Sequence, residues 1–480
     1  MRAILALVAL ALAAPVLAQD APAVRERVEA EFAKAPTGSR FGLVVSDGAG
    51  REIVAIRPDE RFIPASNTKI VTTAAAWWTM PDAITAPDTK GGAAVRIEGK
   101  DLILAGRGDA RLSSAADCVT NCLSQLANAI AAGIRRVRNI TGDATLFPDE
   151  RWSSGMSWNN IPSRSGTANS ALSLDYNELV ATVTPGIAGA TPKMDHLGYV
   201  TIDNRVVTVA AGGKTDIAFD RLPFDRTIRL TGTIAADAPS RTIRFGIDDP
   251  AHYAAWRLAA LLRERGVKVS GTITSRYRTL DPATDDPATR TAPPPRLPDR
   301  VWLAALTPPP LAEDVRTINK VSQNLHAELL LRRTGLVEGT GSVADGQRRV
   351  AAMFAAAGVP RTAFDFSDGS GMSTYNRIAP RGMVTLLDWI ARQPWGTAWR
   401  ETLPVGGVDG TLARRFKGTA LEGRVFAKTG SINATNALAG YMLGRSGKLL
   451  TFAAYANDVP GDASGTPMID AALLAVAEAN

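Results

Sequence analysis

Strand patterns at the two ends of the chain constrain its fold more than anything between them. Phe41–Ser46 is an apolar run, Asp47-Gly48 supplies a turn, and Glu52–Ile56 returns as a second short strand. Far along the chain, Arg424–Lys428, Ala437–Leu443 and Leu449–Tyr455 read as three more strands, the last two joined by Gly444-Arg445-Ser446-Gly447. Helical periodicity fills Thr68–Trp78, Val315–Arg333, Ser342–Ala357 and Pro380–Arg392. Helices packed on an antiparallel sheet that draws on both chain ends make an α/β (α+β) domain with something inserted in it.

The middle has a different texture. From about Asn177 to Phe245 the pattern alternates as strands do, notably in Tyr199–Ala210 and Thr227–Ile234, and Ala251–Gly266 follows as an amphipathic helix. Thr279–Pro298 is low in complexity, with Asp-Pro-Ala-Thr twice and then Pro293-Pro294-Pro295, and reads as a linker or exposed loop. The 480 residues allow about three domains. With 45% hydrophobic and 21% charged residues, disorder, collagen-like repeats and coiled coil are excluded.

Arg2, the apolar run Ala3–Ala14, Pro15 and Val16-Leu17-Ala18 have the form of a secretory signal peptide cut after Ala18. Gln19 follows the cut, so a lipid anchor is not expected. No later apolar run is long enough to span a bilayer, and the expected location is the periplasm. In that oxidising setting Cys118 and Cys122, the only two cysteines, point to a short local disulfide. The histidines, His196, His252 and His326, are scattered singly, which argues against a zinc site and lowers the odds of a Ser-His-Asp hydrolase. The net charge of +7 is spread thinly, and Arg414-Arg415 with Lys417 is too short a cluster for a nucleic-acid surface.

Chemistry concentrates in three short patterns. Pro64-Ala65-Ser66-Asn67-Thr68-Lys69 opens a helix of small and apolar residues, putting Ser66 and Lys69 on one helical face. An amine able to lose its proton there could activate the serine oxygen. Ser322 and Asn324 place a hydroxyl and a carboxamide two apart, at a helix start or loop. Lys428-Thr429-Gly430-Ser431 ends a strand, where glycine lets a substrate backbone lie close. Each alone reads as a cap or a turn. Together, in the order Ser-x-x-Lys, Ser-x-Asn, Lys-Thr-Gly, they are the set found in β-lactamases and penicillin-binding proteins.

On these residues the chain resembles the low-molecular-mass class C penicillin-binding proteins, the D-alanyl-D-alanine carboxypeptidase/endopeptidases. Asn319-Lys320, Ala327-Glu328, Leu331-Arg332, Asp368-Gly369-Ser370-Gly371-Met372-Ser373, Asn376, Leu403-Pro404, Asp409-Gly410-Thr411-Leu412 and Ala437–Tyr441 are similarly typical. The resemblance implies a penicillin-binding/β-lactamase-like transpeptidase fold that acts on peptidoglycan stem peptides, is acylated by β-lactams and needs no metal or organic cofactor. Ser66 would be the nucleophile, Lys69 its base, Ser322 a proton relay bonded to a lysine, and Asn324 a holder of the substrate amide. Lys428, Thr429 and Ser431 would anchor a terminal carboxylate, with Gly430 between them, and the N–H groups of Ser66 and Ser431 would form an oxyanion hole.

More than half the chain separates Ser66 from Ser322, and the resemblance assigns that span to two inserted domains. Residues 19–86 and 301–480 would form the catalytic domain, 87–178 and 244–300 an inserted domain, and 179–243 a β-rich domain nested inside it. Asn160 stands where relatives often carry an aspartate that reads a cationic amine on the stem peptide. Two other readings are a β-lactamase, which the long insertion disfavours, and a non-catalytic wall-binding protein, which the intact motifs disfavour.

Overall fold

The computed structural model describes residues 21–292, 294 and 300–480; the expected signal peptide and part of the Pro-rich stretch lie outside them. Strands β1 (Arg40–Ser46), β2 (Glu52–Ile56), β3 (Val425–Ile432), β4 (Thr435–Leu443) and β5 (Leu449–Asn457) form one antiparallel sheet in the order β3-β4-β5-β1-β2. The β1–β2 turn is held by Asp47, whose Oδ1 accepts the N–H groups of Ala49 and Arg51, while Gly48 takes φ +75°. Residue by residue, β1 pairs with β5, from Arg40 opposite Asn457 to Ser46 opposite Thr451.

Alternation sorts side chains to the two faces. Leu43, Val45, Phe452 and Leu438 pack with Val24, Val28, Leu473 and Val476 of helices α1 (Ala21–Phe32) and α7 (Thr466–Ala479). Val44, Ala439, Tyr441 and Ala453 face the opposite way, toward α2 (Thr68–Thr79) and α6 (Pro380–Ala391). Behind α2 lie α3 (Ala312–Val321), α4 (Asn324–Leu336) and α5 (Val343–Ala356).

The single helix expected over Val315–Arg333 is two. Ser322 adopts the left-handed conformation, φ +60° and ψ +40°, which ends α3. Gln323 then caps α4, its side chain accepting the N–H of Leu325 at 2.7 Å. Apolar periodicity runs unbroken across this point, so the break is invisible to hydrophobic pattern alone.

A second five-stranded sheet comes from the middle of the chain, in the order Ile273–Arg278, Ile140–Pro148, Asp101–Ala105, Ala94–Glu98, Ala304–Ala305. The first three run parallel and the last two antiparallel to their neighbours. Helices Leu123–Gly133 and Pro250–Glu264 share its core. Residues 178–246 add a three-stranded and a four-stranded sheet.

Within Thr279–Pro298, read as a linker or exposed loop, the described residues are mostly exposed but anchored at two points. Asp281 caps a short helix, Pro282–Asp285, and the fully buried Asp285 pairs with Arg278 at 2.8 Å while its carbonyl accepts the Ser342 hydroxyl. Arg290 forms a buried pair with Asp345. Cys118 and Cys122 are joined by a disulfide, Cα to Cα 5.8 Å. Among the described residues, no helix is long and apolar enough to cross a membrane.

Candidate active site

Three elements meet at one cleft: the turn opening α2, the break between α3 and α4, and the edge strand β3. Ser66 lies in a 3-10 turn, Ala65–Asn67, that runs into α2. Ala65 takes φ +47°, a conformation that costs a side-chain-bearing residue about 1–2 kcal/mol. Two glycines clamp this turn. A Cβ on Gly371 would lie 1.9 Å from the carbonyl oxygen of Ala65, and one on Gly430 would lie 2.5 Å from that of Pro64. Asn67 completes the bracing by donating from Nδ2 to the Lys428 carbonyl at 2.7 Å.

One turn along α2, Lys69 is fully buried. Its Nζ donates to Ser66 Oγ at 2.9 Å, to Asn324 Oδ1 at 2.7 Å and to the carbonyl of Ser370 at 2.5 Å. Burial pushes this amine down to about 7, against the opposing pull of the Asp368 and Glu328 carboxylates. A lysine so placed is an available base near neutrality.

Lys428 repeats the pattern from β3. It too is fully buried, and its Nζ donates to Ser322 Oγ at 2.9 Å and to the Thr429 carbonyl at 2.8 Å. Burial, and then the charge of Lys69, hold it well below the ordinary lysine range. The left-handed turn at Ser322 is what brings its hydroxyl to this amine. Asn324, first residue of α4, bridges the cleft: its Oδ1 faces Lys69 and its Nδ2 donates to the carbonyl of Ser165 at 2.9 Å. Thr429 bonds Thr411 through their hydroxyls at 2.8 Å, and Ser431 is exposed at the strand's end opposite Asn436.

The structure thus brings two hydrogen-bonded groups to one cleft, Ser66–Lys69–Asn324 and Ser322–Lys428, with Thr429, Gly430 and Ser431 along its rim. Asn160 stands apart from both groups. It closes the short turn Trp158–Asn160, whose carbonyl accepts Ser163, and touches the cleft only through the segment leading to Ser165.

Two buried carboxylates behind Lys69 were not singled out for any role by the sequence. Glu328 on α4 accepts the N–H of Ser370 at 2.9 Å and that of Gly369, and so fixes the carbonyl that receives Lys69. Burial and neighbouring Asp368 raise the Glu328 carboxyl. Asp368 accepts the N–H groups of Gly371 and Ser373 and the Asn376 amide, and Asn376 in turn donates to Thr68 of α2. A lone acid in Ala327-Glu328-Leu329-Leu330-Leu331 is the signal that could have found the first of them.

The profile of the D-Ala-D-Ala carboxypeptidase 3 (S13) family matches residues 24–479. A D-alanyl-D-alanine carboxypeptidase of Actinomadura sp. (strain R39) is 33% identical over 438 residues, 86% of this chain and 77% of that protein. The D-alanyl-D-alanine carboxypeptidase DacB of Haemophilus influenzae is 24% identical over 445 residues, 88% of this chain and 86% of its own. In three dimensions the chain shares the fold of penicillin-binding protein 4 (dacB) from H. influenzae, with a TM-score of 0.76 at 21% identity, over 93% of this chain and 97% of that one. Sequence and fold converge, and the chain belongs to the D-Ala-D-Ala carboxypeptidase 3 family of serine peptidases.

Proposed function

We propose that this protein is a periplasmic D,D-carboxypeptidase/endopeptidase that cleaves peptidoglycan stem peptides through an acyl-enzyme on Ser66 and is acylated there by β-lactams. The observation that carries the reading is the 2.9 Å bond between Ser66 and an amine that burial has brought down to about 7. Lys69 takes the Ser66 proton as Oγ attacks the carbonyl of the terminal D-Ala-D-Ala bond. The N–H groups of Ser66 and Ser431 receive the developing oxyanion, a device worth about 3–4 kcal/mol per donor. Ser322, bonded to Lys428, passes a proton to the leaving amine. Asn324 holds the substrate amide. Water then releases the shortened peptide.

Lys428, Thr429 and Ser431 receive the terminal carboxylate. Burial keeps Lys428 reluctant to charge before substrate arrives, and an incoming carboxylate supplies the missing counter-charge. Asn160, an amide, offers a hydrogen bond but no charge to an amine on the stem peptide. In the same reading the catalytic domain comprises residues 19–86 and 301–480. Residues 87–178 with 244–300, and 179–243 nested within them, are the insertions; the pairing of Ala304–Ala305 with the strand at Ala94 extends the first slightly past residue 300. The N-terminal apolar run supports export. That penicillin-binding protein 4 of H. influenzae has been solved with a β-lactam supports the inhibitor class.

The test is acylation of the purified protein by labelled penicillin, alongside release of D-alanine from a pentapeptide. Wild type is expected to do both and Ser66→Ala neither. No label on wild type refutes the reading. Sustained turnover of a chromogenic cephalosporin makes the protein a β-lactamase, and acylation without D-alanine release makes it a binding protein.

A further inference from the structure

Two cavities lie beside the catalytic cleft, of about 630 and 210 Å³, and both are walled by Arg151 and Phe224. The larger falls within the roughly 300–1,000 Å³ of small-molecule sites. Phe224 is 65% exposed and sits at φ +62°, a left-handed conformation that a bulky residue seldom adopts. It is held there on purpose-built support. Its N–H donates to Asp248, which is itself locked in a buried ion pair with Arg221. Trp152 meets the Phe224 ring edge-on at 5.6 Å between centroids, and the Arg151 guanidinium lies 5.8 Å from its centre. A large apolar ring is thus presented to solvent by a rigid, strained and charged scaffold, where free collapse would have buried it.

The charged groups that line the larger cavity are paired in place, whereas the smaller one also presents Asp225, Asp249 and Arg226. Arg151 pairs with Asp149, Arg221 with Asp248, and Glu150 with Arg332. His252 is held toward its neutral form by burial and bonds the Tyr199 hydroxyl. Arg226 donates to a carbonyl and lies over the Tyr199 ring. The larger cavity thus offers hydrogen bonds without net charge and aromatic faces without a closed apolar pocket. It suits a neutral polyhydroxylated ligand whose C–H faces can lie on aromatic rings.

The larger cavity shares wall residues with the catalytic cleft. Trp152 and Ser153 also wall a small cavity that reaches Asn324 and Ser370. The Ser154 carbonyl accepts the Ser373 hydroxyl at 2.6 Å, on the same loop that clamps the Ser66 turn. We infer that the Phe224–Trp152 cavity is a saccharide subsite, which holds the N-acetylhexosamine units of the glycan strand to which the stem peptide is attached. The inference rests on the stem-peptide reading of the cleft. In intact wall material the sugar's own carboxyl is tied up as the peptide amide, so the glycan there is neutral, as the compensated lining requires.

The experiment compares a disaccharide-pentapeptide with the same pentapeptide stripped of sugar, in wild type, Phe224→Ala and Phe224→Trp. Wild type is expected to show kcat/KM about tenfold higher on the sugar-bearing substrate, the size of one well-seated aromatic anchor. Phe224→Ala should bring that ratio near one while leaving free-peptide hydrolysis and penicillin acylation unchanged, and Phe224→Trp should keep the preference. A ratio of one in wild type, or equal loss on both substrates in Phe224→Ala, overturns the subsite. If neither peptide is cleaved and penicillin does not acylate, it is the catalytic reading that fails, and calorimetric titration with chitotetraose decides the subsite by itself. Saturable binding that Phe224→Ala weakens sustains it, and no binding to wild type ends it.

Discussion

Lys69 and Lys428 are both fully buried, and each donates to a different serine at 2.9 Å, Lys69 to Ser66 and Lys428 to Ser322. Two ammonium groups enclosed together cannot both keep their charge cheaply, and that mutual constraint gives the site its chemistry.

The pH dependence of acylation follows from Lys69. Burial lowers this amine, so the free base accumulates as pH rises through about 7. The rate of penicillin acylation should therefore climb across that region, measured by stopped-flow loss of the β-lactam. Lys69→Arg keeps a cation that cannot surrender its proton and should lower the rate by about 10²–10⁴-fold at every pH. A flat profile between pH 6 and about 8 would refute the assignment of Lys69 as base.

Glu328 acts on that same limb from behind. Its carboxylate raises Lys69, while burial lowers it. Glu328→Gln keeps an acceptor for the Ser370 N–H but removes the charge, so Lys69 should fall further and the acid limb of the acylation profile should move to lower pH. Glu328→Leu removes the acceptor as well and leaves two buried N–H groups unpaired, at about 1–3 kcal/mol each. It should lower the melting temperature, whereas a Gln variant that shifts no limb would show that Glu328 only supports the loop.

Gly430 tests the contact between β3 and the nucleophile turn. A methyl there would meet the Pro64 carbonyl at 2.5 Å, with Asn67 N at 3.2 Å beyond it. Gly430→Ala should displace the Ser66 turn and lower acylation by about 10²-fold, the cost of a misplacement near 1 Å. Circular dichroism should stay that of a folded protein, because the sheet register needs no change. Wild-type acylation in this variant would mean that the turn and strand move apart freely.

Lys428 predicts a proton inventory. Burial and the charge of Lys69 hold it below its ordinary range, so a carboxylate ligand should bind with proton uptake at pH values where the free amine is neutral, uptake that a series of pH values will locate. Calorimetry of a D-Ala-D-Ala peptide on Ser66→Ala, in buffers of different ionisation enthalpy, reads this directly. Enthalpies that do not vary with buffer at any pH would place the charge on Lys428 before binding.

What the sequence disclosed was local. Ser66 with Lys69, and Lys428-Thr429-Gly430, each read alone as a cap or a turn, and became legible as chemistry only in their order along the chain. Ser322 and Asn324 were read at a helix start or loop, where they lie, while the hydrophobic periodicity that continues past them suggested a single helix over Val315–Arg333. Glu328 and Asp368 act through backbone N–H groups of a loop more than thirty residues from Glu328, and no spacing rule encodes that partnership. The repeated Asp-Pro-Ala-Thr of Thr279–Pro298 likewise gave no hint that Asp285 is buried against Arg278.

The pairing of β1 with β5 has a consequence for timing. Arg40 of β1 bonds Asp458, just past β5, across 418 positions of sequence, so the nucleophile helix is synthesised long before the strands that complete its cleft. The middle of the chain carries its own sheet and can become compact meanwhile. The partners of Lys69, Asn324 and Ser370, precede β3, but Lys428, the partner of Ser322, arrives only with that strand. A chain arrested before β3 would hold Ser66 and Lys69 in register yet lack Lys428, Thr429 and Ser431, and with them the whole strand edge along which a substrate would lie.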